Sequence, residues 1–313
     1  MSEMPLRPLD IINRQELSSL SRICDRIAAC HLALRAAGEA LLFWSSLQLA
    51  VERSPWFLPV FLLCGSWHSF WGYAGIGHEF YHGRVFSSSF FNRAAFRISS
   101  YLTLNNPKFF ADSHALHHRE TFSQSDQEAR ALQAWGAYDV FCYATVDLPL
   151  LVKRWTYILF NASGRLPGGS RLSGVTGAHR REAVAMLVFL AAAHFALWIL
   201  TGKLESNLLF LLLPVTGLLP ARVLAQTQHL GLAGSRDQGP LGHSRTVRLP
   251  WLLEFLYSGM NFHAEHHLAP VIPYYRLPEL HAILIKRGLL SPVELWPFLR
   301  DHFGNLIRAQ QPR

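Results

Sequence analysis

Nine of the 16 histidines in this 313-residue chain fall in four short stretches. Asn261–Pro273 reads NFHAEHHLAPVIP and carries His263, His266 and His267 as HxxHH. SHALHH repeats that spacing at His114, His117 and His118. GHEFYH sets His78 and His82 four residues apart, and QTQHLG holds His229. On a helix, positions i, i+3 and i+4 share a face, so the three imidazoles of one HxxHH can point at one spot. Such clusters point to metal; the alternative is histidines scattered over surface and core. Nine imidazoles exceed the four ligands of one zinc ion and suit two ions of about four or five nitrogens each. Imidazole serves Zn, Cu, Fe and Ni alike, so ligand type alone does not name the metal. A metal-bound imidazole donates its other N–H to a carboxylate or carbonyl. Glu79, Asp112, Glu120, Asp126 and Glu265 lie in or beside the boxes as candidates for that duty; the alternative is that they are ordinary polar neighbours. No serine or cysteine nucleophile sits in a convincing triad.

The elements that must bring these stretches together are apolar. Half the residues are hydrophobic and 16% are charged, against roughly 25% in soluble domains. Mean hydropathy is +0.15, which suits a membrane protein with sizeable polar parts. The expected fold is all-α: one integral-membrane domain over residues 1–313, with four transmembrane helices in two hairpins. The spans are expected near 34–51, 56–76, 183–201 and 208–225, between a cytosolic lead-in (1–33) and a cytosolic tail (226–313) that caps the His boxes. Val85–Leu104 and Tyr138–Phe160 read as interfacial amphipathic helices. Arg165–Arg181 and Gly231–Gly242 read as loops. In the tail, Pro278–Lys286 reads as a helix. Ser291–Glu294 reads as a capping box with proline at the first helical position.

Two tight hairpins put both termini and every His cluster on one side. The outer turns hold only Arg53 and Lys203, so the positive-inside rule makes the His side cytosolic. The expected location is a bacterial inner membrane, as a multi-pass protein. A net charge of +8 with no nucleic-acid-binding pattern points to anionic lipid rather than nucleic acid. Cys24, Cys30, Cys64 and Cys142 are isolated and form neither a disulfide framework nor a thiolate site. His68 and His194 read as hydrogen-bonded interior residues. His31, His179, His243, His281 and His302 read as surface or packing residues, and Trp67, Trp71 and Tyr73 as packing or an interfacial belt.

GHEFYH, SHALHH, QTQHLG and NFHAEHHLAPVIP resemble, in order and spacing, the histidine boxes of the membrane fatty acyl desaturase and hydroxylase superfamily. The resemblance runs from about Trp56 to His281. It implies two non-haem irons held by His78, His82, His114, His117, His118, His263, His266 and His267, with His229 as the family's extra histidine and Asn261 as a further candidate. The first box has Glu79 where many desaturases have Asp. The implied reaction uses dioxygen to remove hydrogen from an unactivated C–H bond of a lipid or acyl-chain substrate. Loss of a second hydrogen gives desaturation. Return of oxygen gives the alternative, a hydroxylase or ketolase of a lipid, carotenoid-like or small amphiphilic substrate. The electrons imply a separate donor, a ferredoxin, rubredoxin or cytochrome. A zinc-dependent membrane hydrolase or a metal transporter is the rival outside this chemistry.

Overall fold

The computed structural model describes residues 8–124, 126, 128, 135–167, 174–232 and 239–307. The start of the lead-in and parts of the two expected loops lie outside the described residues. The described chain is mostly helical. Its only sheet is one parallel pair, Val247–Arg248 with Val293–Glu294.

Among the described residues, two helices are long and apolar enough to cross a membrane, Asp25–Val51 and Gly177–Thr201. Each is followed by a shorter apolar partner, Phe57–Ser69 and Leu204–Val215, against which it packs. At about 1.5 Å per residue these partners reach about 20 Å or less, short of the roughly 30 Å of a bilayer core. The expected second span, 56–76, is divided. Its helix ends at Ser69, the chain turns through Gly72 and Gly75, and a new helix, Ile76–His82, begins. The turn is tight because a Cβ on Gly75 would meet the Phe70 carbonyl oxygen at 2.1 Å. The expected fourth span is likewise broken, by Pro214 and by Gly217 at φ +60°, before helix Leu219–Thr227.

The long helices are not the core of a water-soluble bundle. Only 11% and 17% of their apolar windows are buried, and Leu41, Trp44, Val188, Phe195 and Leu200 stand exposed. Such a continuous apolar surface fits lipid. Ser89–Leu102 shows the same inversion. It buries Asn92, Ser99 and Ser100 and exposes Phe90, Phe91 and Ile98. Tyr138–Phe160 is two helices, Ala137–Ala144 and Leu148–Ala162. They part where Asp147 caps the second by accepting from the Leu150 N–H at 2.9 Å.

A buried apolar core lies under the third His box. Phe262, Leu268, Ile272, Leu277, Leu280 and Leu284 pack against Ile12, Leu20, Ile76 and Phe80. The expected capping box at Ser291–Glu294 is absent from the structure. The Val293 N–H bonds the Thr246 carbonyl at 2.9 Å, so Val293–Glu294 is a strand and the last helix starts at Leu295.

Candidate metal centre

Each HxxHH lies on a helix, Pro107–Arg119 and His263–Leu268. The first of these is capped by Asn106, whose side chain accepts from the Lys108 N–H, and has proline at its first position. The second is short and fully buried, and the Arg35 guanidinium fixes the turn before it. That group donates to the carbonyls of Leu256 and Phe255 at 2.7 and 2.5 Å and to Ser258 Oγ at 2.9 Å.

The nine histidines divide into two adjoining clusters. His78, His82, His114, His118 and His266 form one; His117, His229, His263 and His267 form the other. Within each, the ligating nitrogens lie within 4.8 Å of one another. The three imidazoles of one HxxHH therefore do not share a spot. The i and i+4 residues of the second box, His114 and His118, enter the first cluster and His117 the second. In the third box His263 and His267 enter the second cluster and His266 the first. Successive helical residues turn by about 100°, so i and i+4 diverge by only about 40° while i+3 lies off to the other side. The stacked rings of His118 and His267, 4.5 Å apart, join the clusters.

The nitrogens are arranged as ligands around a centre. In the first cluster Nε2 atoms close a circuit: His82 to His114 3.2 Å, His114 to His118 3.0 Å, His118 to His266 3.3 Å and His266 to His82 3.1 Å. The midpoint of a planar circuit of that size lies about 2.2 Å from each nitrogen, against about 2.0–2.1 Å for a zinc–imidazole bond. His78 Nε2, buried, has no hydrogen-bond partner. In the second cluster His263 Nε2 lies 2.9 Å from His229 Nε2 and 3.0 Å from His267 Nε2.

Four of the Nδ1 atoms face outward to hydrogen-bonding partners that orient the rings, whereas those of His263 and His266 are buried without a hydrogen-bond partner. His78 Nδ1 lies 3.0 Å from Glu79, His114 Nδ1 2.9 Å from Glu128, and His117 Nδ1 3.1 Å from both Asp126 oxygens. His229 Nδ1 donates to the His243 carbonyl at 2.8 Å. A carbonyl can only accept, so the His229 proton is on Nδ1 and its Nε2 lone pair points inward. Inward lone pairs at 3 Å repel unless a cation lies between them, so the donor set fits a metal at each cluster. Burial, and then the neighbouring imidazoles, push His78, His114, His118, His263, His266 and His267 well below the ordinary imidazole range. Burial lowers His82 and His229 to about 3. Neutral imidazole is the form that ligates.

Glu79 and Asp126 thus stand beside cluster histidines. Asp112 instead pairs with Lys108 and His179. Glu265 accepts from Thr246 and lies 2.5 Å from His281 Nδ1, bracing the far side of the His helix. Glu120 pairs with Arg119. Asn261 donates to the Val247 carbonyl and to Glu254. Glu128 and the His243 carbonyl escaped sequence reading. Glu128 stands in the same QSDQEAR run as Asp126, two residues on. Among the other histidines, His68 bonds Glu39 at 2.5 Å and His31 faces Tyr274 at 3.0 Å. His243 is buried, its ring 5.5 Å from His267.

A cavity of about 680 Å³ opens along both clusters, with His78, His114, His117, His229 and His263 in its wall. Tyr73, Phe110, Tyr257 and Met260 supply apolar surface. A family model described as fatty acid desaturase matches residues 53–296, a stretch that contains every cluster histidine. No curated protein matches the chain.

Proposed function

The chain belongs to the fatty acid desaturase family, and from that premise we propose that it is a di-iron, dioxygen-dependent membrane oxidoreductase that desaturates an aliphatic chain. One iron is held by His78, His82, His114, His118 and His266, the other by His117, His229, His263 and His267. What carries this reading is the pair of adjoining nitrogen clusters with inward Nε2 lone pairs. Iron, when bound, supplies dioxygen activation and hydrogen removal from an unactivated C–H bond. The protein's own share is placement. Glu79, Glu128, Asp126 and the His243 carbonyl hold the imidazole rings in register. The cavity wall brings a bound chain against both clusters, and Tyr73, Phe110 and Met260 exclude water there.

The four apolar helical segments lie in the membrane as one domain, with the His clusters and both termini on the cytosolic side. The exposed apolar faces and the near absence of Lys and Arg from the outer turns support this placement. A separate one-electron donor protein supplies reducing equivalents.

The test is expression of the full chain with a ferredoxin and its reductase, followed by mass spectrometry of total lipids and metal analysis. About two irons per chain and an oxygen-dependent product lighter by two hydrogens are expected, both lost in His266→Ala. A product gaining oxygen assigns hydroxylation instead. One tightly held zinc with oxygen-independent turnover overturns the reading.

A further inference from the structure

The cavity beside the clusters is not lined for a bare hydrocarbon. Lys153, Arg154 and Arg222 are in its wall, and its two carboxylates have other partners: Asp139 accepts from the Gly136 N–H at 2.8 Å and Glu128 lies 2.9 Å from His114 Nδ1. Neither Arg154 nor Arg222 forms an ion pair among the described residues. Arg154 spends one N–H on the Pro214 carbonyl at 2.8 Å, and Arg222 lies over the Tyr143 ring at 5.0 Å. The nearby Asp147 is occupied in capping its own helix. Three further wall atoms are buried without a hydrogen-bond partner: Asn161 Oδ1, Gln226 Oε1 and Tyr257 OH.

These groups form a line. Arg222, Gln226 and His229 stand at i, i+4 and i+7, one face of helix Leu219–Thr227 and its continuation. Arg154 and Asn161 stand at i and i+7 on helix Leu148–Ala162 and face the same space. At about 1.5 Å per residue, Arg222 sits about 10 Å along the helix from the His229 ligand. The volume falls within the roughly 300–1,000 Å³ of small-molecule sites.

We propose that the cavity takes an amphiphile with a compact anionic head, carboxylate or phosphate, seated on Arg154 and Arg222, with its apolar body directed along Gln226 to the His clusters. The inference deepens the oxidoreductase reading and rests on it for what happens at the clusters. It makes Arg222, two helical turns from His229 along the chain, a specificity residue. Two guanidiniums that share one cavity repel each other, and an anion between them relieves that repulsion.

The test is binding rather than turnover. The full iron-loaded chain in nanodiscs, anaerobic and without electron donor, is titrated with decanoate, decyl phosphate, methyl decanoate and decanol. Uptake by protein-free nanodiscs is subtracted. One or both anionic probes are expected to bind about tenfold or more tighter than the neutral ones, the size of one charge-assisted hydrogen bond. The better anion names the head group. Arg222→Met abolishes the preference, Arg222→Lys keeps part of it, and Lys203→Met, in an outer turn, leaves it unchanged. Equal binding of charged and neutral probes, or a preference that survives Arg222→Met, overturns the proposal. A preference without any oxidised product under aerobic turnover would instead sink the oxidoreductase reading and leave the anion site standing.

Discussion

Glu128→Ala isolates one prop of the first cluster. The carboxylate lies 2.9 Å from His114 Nδ1 and 3.1 Å from Ser113 Oγ, and it contributes no atom to the clusters themselves. Removing an outer partner of a ligating histidine costs roughly 10–100-fold in metal affinity. The Glu128 side chain is 29% exposed, so water can replace part of the lost acceptor. The expected loss is therefore at the lower end, about tenfold, or about 1.4 kcal/mol. Asp126 is 0% exposed and also accepts from the Phe122 and Glu128 N–H groups at 2.8 and 3.0 Å. Its removal belongs at the upper end, about a hundredfold. Asp112 pairs with Lys108 and His179 and with no cluster histidine among the described residues, so Asp112→Asn is the control and leaves iron retention unchanged. The assay is iron retained per chain against rising chelator, with helicity measured in parallel. Retention in Glu128→Ala equal to that of the parent, or a loss in Asp112→Asn as large as in Glu128→Ala, refutes the assignment of Glu128.

Arg35→Met leaves the buried Leu256 carbonyl, the half-buried Phe255 carbonyl and the Ser258 hydroxyl without their donor; a loss of about 3 kcal/mol is expected, with faster iron release, read by thermal unfolding and by chelator competition. Gly217→Ala sets a Cβ 2.4 Å from the Leu62 carbonyl oxygen at φ +60°, and about 2–3 kcal/mol is lost. Gly83→Ala, at φ +68° with open space around it, loses only about 1 kcal/mol by the same melt, and equal losses would refute the close-approach argument. The metal-free protein should weaken in acid. His82 and His229 have folded values near 3, below the ordinary imidazole value, so the unfolded chain binds their protons first as pH falls. Stability is then full above about pH 6.5 and drops by about 1.4 kcal/mol per pH unit for each group down to about pH 3. A pH-independent melting temperature between pH 7 and 5 would count against it.

The histidines were legible because metal chemistry concentrates one residue type at helical spacing, a signal that survives without tertiary information. The two long apolar helices were legible for a similar reason: their hydropathy is a sum over some twenty residues. What the sequence hid depends on contacts remote in the chain. The helix after Trp56 stops at Ser69 because Gly75 and Gly77 let the backbone fold back on Phe70 and Trp71, and no window average registers that. Val293 reads as the start of a helix until Thr246 offers its carbonyl from 47 residues away in sequence. The carboxylates were only half readable. Glu265 sits inside HAEHH yet points away to Thr246 and His281, because a residue between i and i+3 lies on the opposite side of the helix. Proximity in sequence to a ligand is thus a poor guide to contact with it.

The division of each HxxHH between two clusters has a structural consequence. A box dedicated to one ion could shift with its helix and move a single site. Here a rotation of helix Pro107–Arg119 that improved His114 and His118 at one cluster would displace His117 from the other. The same holds for His266 against His263 and His267. Register errors are therefore penalised twice, and the separation of the two clusters is fixed by helix geometry rather than by loops. This explains why so much buried hydrogen bonding is spent behind the third box. Arg35 ties its leading turn to the first long helix, Glu265 braces its outer face, and Leu277, Leu280 and Leu284 fill the space beneath it. The helix itself is only six residues long, too short to hold its own shape in water. Its geometry is imposed by the surrounding packing, and the two clusters inherit their spacing from that packing.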